Sequence, residues 1–316
     1  MAGPVFSEAV AELLTEHYHH LSEGSGIGAD VIRERGYRSL LGKSELEKLG
    51  FTPAQQRSPG ILIPLWSVDG KEAGFQFRPD HPRTSSRDKA VKYESPAGSS
   101  NRLDCPPRCQ KMIGNPQVPI WITEGSKKAD ALASKGACAI SVTGVWGFKG
   151  KNQFGGITFL TDWDYVALKN RTVYLAFDSD IVTKEPVRKA LEHIGEHLKR
   201  KGATVSVIQL PQLEGQQKTG IDDYLLRYSL EDAEKLAGNF KLEKTEDKER
   251  FVSGFVLPDG TVGEMVVSGD DDRSFMIAAN GSVRKAYQYE TAKVIYLPTD
   301  DRLVGEVVHF ASTAAP

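Results

Sequence analysis

The pattern of apolar and polar positions divides the chain into a helical beginning, a β-hairpin, an α/β middle and a β-rich end. Val10, Leu13 and Leu14 recur at helical spacing behind Ser7, a capping residue, and predict a helix over 7–20. Shorter helices are expected over 27–35 and 44–49, the latter with Ser44 and Glu47 spaced as a capping box. Pro59-Gly60 breaks this pattern. Ile61-Leu62-Ile63-Pro64-Leu65-Trp66 then reads as a strand, Asp69-Gly70 as a hairpin turn, and Ala73-Gly74-Phe75-Gln76-Phe77-Arg78 as the returning strand.

From residue 120 the period changes. Short apolar runs at 120–123, 137–142, 173–177 and 204–210 read as strands. Helices are expected between them over 126–133, 161–169 and 186–201. In the last, Val187, Leu191, Ile194 and Leu198 keep helical spacing, Pro186 suits the first turn and Gly202 ends it. Strand, helix, strand in succession predicts parallel crossovers. The charged stretch 241–250 reads as a linker. Beyond it, segments at 254–257, 262–267 and 292–297 alternate with Asp-Gly, Gly-Asp and Asn-Gly turns and predict β structure without a catalytic constellation. The expected division is a helical segment 1–58, a hairpin and basic subdomain 59–118, an α/β catalytic domain 119–240, the linker and a β-rich segment 251–316. The last segment is expected either to begin a further domain of a longer protein or to form an independent small β domain.

Composition narrows the classes. With 316 residues, 40% of them hydrophobic, the chain can bury a core or two. A net charge of −2 means that any surface for nucleic acid is local. Three cysteines, Cys105, Cys109 and Cys138, make no disulfide framework and suit a reducing cytosol. The sequence has no signal peptide and no apolar run near the length of a membrane span, so a cytoplasmic protein without membrane insertion is expected. His17, His19 and His20 lack a second cluster at ligand spacing and are expected at a solvated helix end. Cys105 and Cys109 fall short of the four ligands of a structural zinc site. No strand is followed by a phosphate-binding G-x-x-x-x-G-K-[ST] or G-x-G-x-x-G loop, which argues against kinase and dinucleotide chemistry.

The candidate chemistry sits at strand ends. One strand delivers Glu124-Gly125 and a later one Asp178-Ser179-Asp180. In an open α/β sheet such ends share the edge where ligands bind. Glu124, Asp178 and Asp180 gathered there form a site for a hard divalent cation such as Mg2+. Asp222 and Asp223 either add to that edge or stabilise a helix N-terminus. Lys127 and Lys128 hold phosphate or lie on an exposed helix face, and Lys149, in a glycine-rich stretch, meets a triphosphate or belongs to a plain loop. Upstream, Arg78, Arg83, Arg87, Lys89 and Lys92 lie beside Phe75, Phe77 and Tyr93. Such cations neutralise phosphates while aromatic faces stack on unpaired bases.

Glu124-Gly125 followed by Asp178-Ser179-Asp180 resembles the TOPRIM domain of DnaG-type primases, topoisomerases and some nucleases, over 119–228. Ile63-Pro64, Asp69-Gly70, Gly74-Phe75-Gln76-Phe77-Arg78 and Lys92-Tyr93-Glu94-Ser95-Pro96 are collinear with the segment preceding that domain in DnaG-type primases, which extends the resemblance to 62–228. The resemblance implies an α/β fold: a TOPRIM (Rossmann-like), mainly parallel sheet, an upstream mixed α+β primase subdomain and a C-terminal β-rich segment. It implies a DNA primase of the phage, plasmid or mobile-element kind, a nucleotidyltransferase making short oligonucleotide primers. Its partners would be a single-stranded DNA template, NTPs and a fused or recruited replicative helicase, and its cofactor Mg2+ or Mn2+. Asp178 and Asp180 would bind metal, and Glu124 would bind a second ion or act as general base. Two positions depart from the family: Lys128 stands where an Asp is common, and Ile181-Val182-Thr183 replaces Arg-Ala-Gly. The zinc-binding domain usual at the N-terminus of such primases is not seen. A TOPRIM metal-dependent nuclease and a non-catalytic nucleic-acid-binding module are the alternatives. A topoisomerase is not expected, because no tyrosine-bearing cleavage domain can be placed.

Overall fold

Residues 13–85, 88, 90–151, 156–179, 185–215 and 218–238 are described by the computed structural model, together with the strands within 250–306. The chain divides into two units, 1–240 and 241–316. The first helix, α1 (Thr15–Ser25), buries His17, Leu21 and Ser25, which share one face at four-residue spacing. It ends at Gly26. The expected start at Ser7 lies outside the described residues, and the helix continues past His20. Then follow α2 (Ala29–Arg35), β1 (Arg38–Leu40) and α3 (Lys43–Lys48). Gly42, not Ser44, caps α3, and no side-chain cap bond forms, so the Ser44–Glu47 box is overturned: both residues already lie inside the helix. β1 pairs antiparallel with β2 (Gly60–Trp66), and β2 with β3 (Glu72–Pro79), through the expected turn at Asp69-Gly70. A short helix, α4 (Gln110–Ile113), leads to the central sheet.

That sheet contains β4 (Ile120–Glu124), β5 (Cys138–Val142), β8 (Thr172–Ala176), β9 (Thr204–Ile208) and β10 (Ala237–Gly238), with β6 (Lys149–Lys151) and β7 (Ile157–Phe159) forming a separate hairpin. The strand order is β10-β9-β8-β4-β5, parallel except for β10. Connecting helices are α5 (Ser126–Ser134) and α6 (Glu185–Arg200), and α7 (Ile221–Leu225) and α8 (Leu230–Lys235) follow β9. Ile120, Trp121, Ile122, Cys138, Ala139 and Ile140 are all buried, as an internal parallel pair requires. The helix expected over 161–169 is only a 3-10 turn, Thr161–Tyr165. Tertiary contacts hold it: the Asp162 carboxylate accepts the Leu103 amide at 2.8 Å, Trp163 is buried, and Val166 is extended.

A buried charge network ties the first unit together. Arg35, at the end of α2, is fully buried and donates to Asp104 at 2.7 Å, to Asp130 of α5 at 2.9 Å and to the Pro64 carbonyl at 3.0 Å. Tyr37 donates to Asp130 at 2.6 Å, and Asp104 also accepts the Trp66 amide and the Ser141 hydroxyl. Every carboxylate oxygen in this group thus has a donor, the condition under which charge survives in a dry interior.

The second unit is an antiparallel sheet of strands in sequence order: β11 (Arg250–Val256), β12 (Val262–Val267), β13 (Ser274–Ala279), β14 (Ser282–Gln288), β15 (Val294–Tyr296) and β16 (Gly305–Glu306). The expected linker lies outside the described residues, except for Arg250, which begins β11. No described helix is long and apolar enough to cross a membrane.

Candidate active site

Parallel pairing of β4 with β8 runs from Ile120↔Val173 to Thr123↔Ala176, so Glu124 and Asp178 leave the sheet at the same edge. The Thr123 hydroxyl fastens the two ends by donating to the Ala176 carbonyl at 2.7 Å. Gly125 follows Glu124 with φ +87°, a left-handed conformation that suits glycine, and turns the chain directly into α5. The first turn of α5 carries Lys127 and Lys128. The start of α7 contributes Asp222 and Asp223. Together with Arg78 of β3, the nearby Lys92 and Tyr93, Lys218, and His20 of α1, these residues line a cleft of about 540 Å³.

Charges inside the cleft are paired unequally. Lys128 and Lys218 each form an ion pair with Asp178, one on each carboxylate oxygen. Burial works to raise the Asp178 carboxyl, but the two lysines overcome it and hold the group below its ordinary value. Burial likewise disfavours charged Lys128, and Asp178, Asp222 and Glu124 outweigh it, so this amine is raised. Asp222 is only 7% exposed, and its Oδ1 has no hydrogen-bond partner among the described residues. Burial pushes its carboxyl up. Asp223 accepts the Gly220 amide at 2.9 Å, so it serves the start of α7 while facing the cleft.

The Lys127 amine donates to Ser25 Oγ at 2.8 Å and lies 3.1 Å from His20 Nε2. Burial lowers this amine to about 8, with Arg78 and Lys128 adding to the effect. Burial and the Lys127 charge lower His20 to about 4, so at neutral pH its Nε2 accepts from Lys127. Tyr93 is pushed up to about 12 by burial. Its hydroxyl is therefore a neutral donor in the cleft wall.

Of the residues singled out in the sequence, Glu124, Asp178, Asp222, Asp223, Lys127, Lys128, Arg78, Lys92 and Tyr93 line one cleft. Asp180, Arg87 and Lys89 lie outside the described residues. Arg83 is not a lining residue; it pairs with Glu94 at 3.0 Å. Lys149 is not one either: its amine sits over the rings of Trp146, Phe148 and Phe159 at 5.3–5.6 Å and contacts His193 at 3.1 Å. Phe77 is fully buried edge-on against Phe51, which removes its face from stacking on a base. The solvated histidine cluster is corrected as well. His17 is buried between Ser39 and Asp80 and His20 lines the cleft, while His19 remains exposed beside Glu23. His20, Ser25 and Lys218 are functional candidates that sequence reasoning missed.

The lining offers carboxylates of the kind that hold a divalent cation. Asp222 presents a buried oxygen without a hydrogen-bond partner among the described residues, and Glu124 lines the same cleft. Mg2+ is commonly held by one or two carboxylates plus substrate phosphates and water. Among the described residues, no three His, Cys, Asp or Glu side chains converge as a complete protein cage. Gly220 makes the close approach possible. A Cβ there would stand 2.8 Å from Lys128 Cε, 3.3 Å from Asp223 Oδ2 and against Asp222 Oδ1. These are the ends of flexible side chains, so Gly220→Ala is expected to destabilise the first unit by no more than about 1 kcal/mol while displacing Lys128, Asp222 and Asp223. Urea unfolding followed by tryptophan fluorescence measures this, and a loss well above about 1 kcal/mol would mean that these side chains cannot move aside.

The family described as a domain of unknown function, DUF3854, matches residues 109–231, which include the strand-end acids, the lysines of α5 and α7. An uncharacterized protein of Picosynechococcus sp. is 29% identical over an alignment covering 72% of this chain; the chain spans 27% of the length of that relative. Among solved structures, the Aquifex aeolicus primase (zinc-binding and RNA polymerase domains) aligns at TM-score 0.50 with 17% identity, covering 73% of this chain and 58% of that one. The RNA polymerase domain of Mycobacterium tuberculosis primase DnaG aligns at TM-score 0.47 with 15% identity, covering 73% and 77%. At such identity the likeness is one of fold: the mixed α/β architecture with a mainly parallel sheet is that of a primase catalytic core.

Proposed function

We propose that this chain is the catalytic module of a TOPRIM-type DNA primase of the mobile-element kind, acting in the cytoplasm beside a fused or recruited replicative helicase. The observation that carries the reading is a cleft lined by both carboxylates and cations. Glu124, Asp178, Asp222 and Asp223 line it together with Lys127, Lys128, Lys218, Arg78 and Lys92. A nucleoside triphosphate brings a polyanion for the cations and calls for a divalent ion near the acids. Glu124, Asp222 and Asp223 would hold Mg2+ or Mn2+, which when bound supplies charge neutralisation at the phosphates. Lys127, backed by His20 and Ser25, binds phosphate oxygens, and Arg78 and Lys92 hold the triphosphate or the template backbone. Tyr93 offers a face and a neutral hydroxyl to a template base.

In the reaction, a 3′-hydroxyl oxygen forms a bond to the α-phosphorus as the bond to the bridging oxygen breaks. Pyrophosphate leaves, and the hydroxyl proton passes to a cleft carboxylate or to water. The chain's own contribution is positioning and charge. Equilibrium binding of ATP and of a single-stranded DNA oligonucleotide tests the cleft assignment. Both should bind, and Lys127→Met should weaken ATP more than the oligonucleotide. Because Lys127 loses its proton near 8, ATP affinity should fall about tenfold from about pH 7 to about pH 9, and Lys127→Met should flatten that slope. Oligonucleotide shortening without nucleotide would instead support the nuclease, and unchanged ATP affinity in Lys127→Met would remove the phosphate role.

A further inference from the structure

We propose that the Lys128 ammonium stands in for a second divalent cation at Asp178, so that the cleft takes one metal ion where an uncharged side chain at 128 would allow two. This rests on the reading of the cleft as a cation-assisted phosphoryl-transfer site. Asp178 is nearly buried, and both of its carboxylate oxygens are engaged by amines. The two amines are unequal. The Lys128 side chain is 18% exposed, whereas that of Lys218 is 55% exposed. Water screens the Lys218 pair, so Lys128 is the principal counter-charge. It also shares the cleft with Glu124 and Asp222.

Position 128 is fixed as well as charged. It lies in the first turn of α5, whose start is set by Gly125 and whose next turn is anchored by Asp130 in the Arg35 network. Gly220 packs directly against the Lys128 stem. An amine held in this way supplies positive charge to Asp178 without metal exchange. It also leaves the Asp222 oxygen, which has no hydrogen-bond partner among the described residues, as the place for an exchangeable ion.

The test is the number of Mn2+ ions bound per full-length chain, read from the electron paramagnetic resonance signal of free Mn2+ during titration. Wild type should bind one, Lys128→Met two, and Lys128→Met with Asp178→Asn one again. Asp222→Asn in otherwise wild-type protein should lose the single ion. Lys128→Gln, which keeps a polar stem, serves as a second variant should the methionine protein fail to fold. Two ions in wild type, or one ion in both wild type and the Lys128 variants, would overturn the inference and leave the cation-site reading standing. No ion in any protein would overturn both.

Discussion

Replacing Arg35 with methionine is expected to cost the first unit about 3–5 kcal/mol, the scale for removing one partner of a buried ion pair. The loss would exceed that of the pair's attraction alone. Asp104 and Asp130, both buried, would be left without their shared cation. Each would then protonate or draw in water, at a cost paid by the whole unit. All four tryptophans, at 66, 121, 146 and 163, lie within residues 1–240, so their fluorescence during urea unfolding reports on this unit alone. A shift below about 1 kcal/mol would mean that the network is hydrated and contributes as little as a surface pair.

The consequence for function follows from where the network sits. Arg35 belongs to the helical beginning, Pro64 and Trp66 to the hairpin, and Asp130 to α5, which carries Lys127 and Lys128. The same three parts line the cleft through His20, through Arg78 and through the strand-end acids. Loosening Arg35 should therefore disturb the cleft lining contributed by His20 and Arg78 before the central sheet melts.

The acidic edge was legible in the sequence because its signal is local. Two short apolar runs each ended in an acid, and parallel pairing brings such ends together whatever the loops between them do. The hairpin at Asp69-Gly70 was legible for the same reason. The rest of the cleft lining was less so. His20 was read as solvated because no second cluster at ligand spacing accompanies the three histidines. Continuing the helix to Ser25 sets His17 and Leu21 on a buried face with His20 at its border. The four-residue spacing of His17, Leu21 and Ser25 was the available signal. Lys218 carries no pattern at all, since only the path from β9 to α7 brings it to Asp178. Arg35 looks like any charge at a helix end, and its partners lie 69 and 95 residues away. Lys149 followed the glycine-rich rule, yet its amine sits over aromatic rings of the turn before β6 and of β7 and is not part of the cleft lining.

The second large effect concerns turnover. Asp178→Ala removes the carboxylate that binds Lys128 and Lys218 and leaves two cations facing each other at the edge of the sheet. Incorporation of nucleotide should fall at least about a hundredfold, comparable to deleting one preorganised electrostatic contact in other active sites. Glu124→Gln keeps the shape of the edge and removes a charge, so it should lower incorporation by a similar factor while ATP still binds. Substituting Arg83, which is paired with Glu94 outside the cleft, should leave incorporation near the wild-type level.

The measurement that bears most directly on the account is template-directed synthesis by the purified chain. Single-stranded DNA of mixed sequence, labelled NTPs and Mg2+ or Mn2+ would be incubated with wild type, Asp178→Ala and Glu124→Gln. The account predicts short labelled oligomers that require the template and disappear in both variants. Oligomers of equal yield from wild type and both variants would contradict it, as would a shortened template with no synthesis.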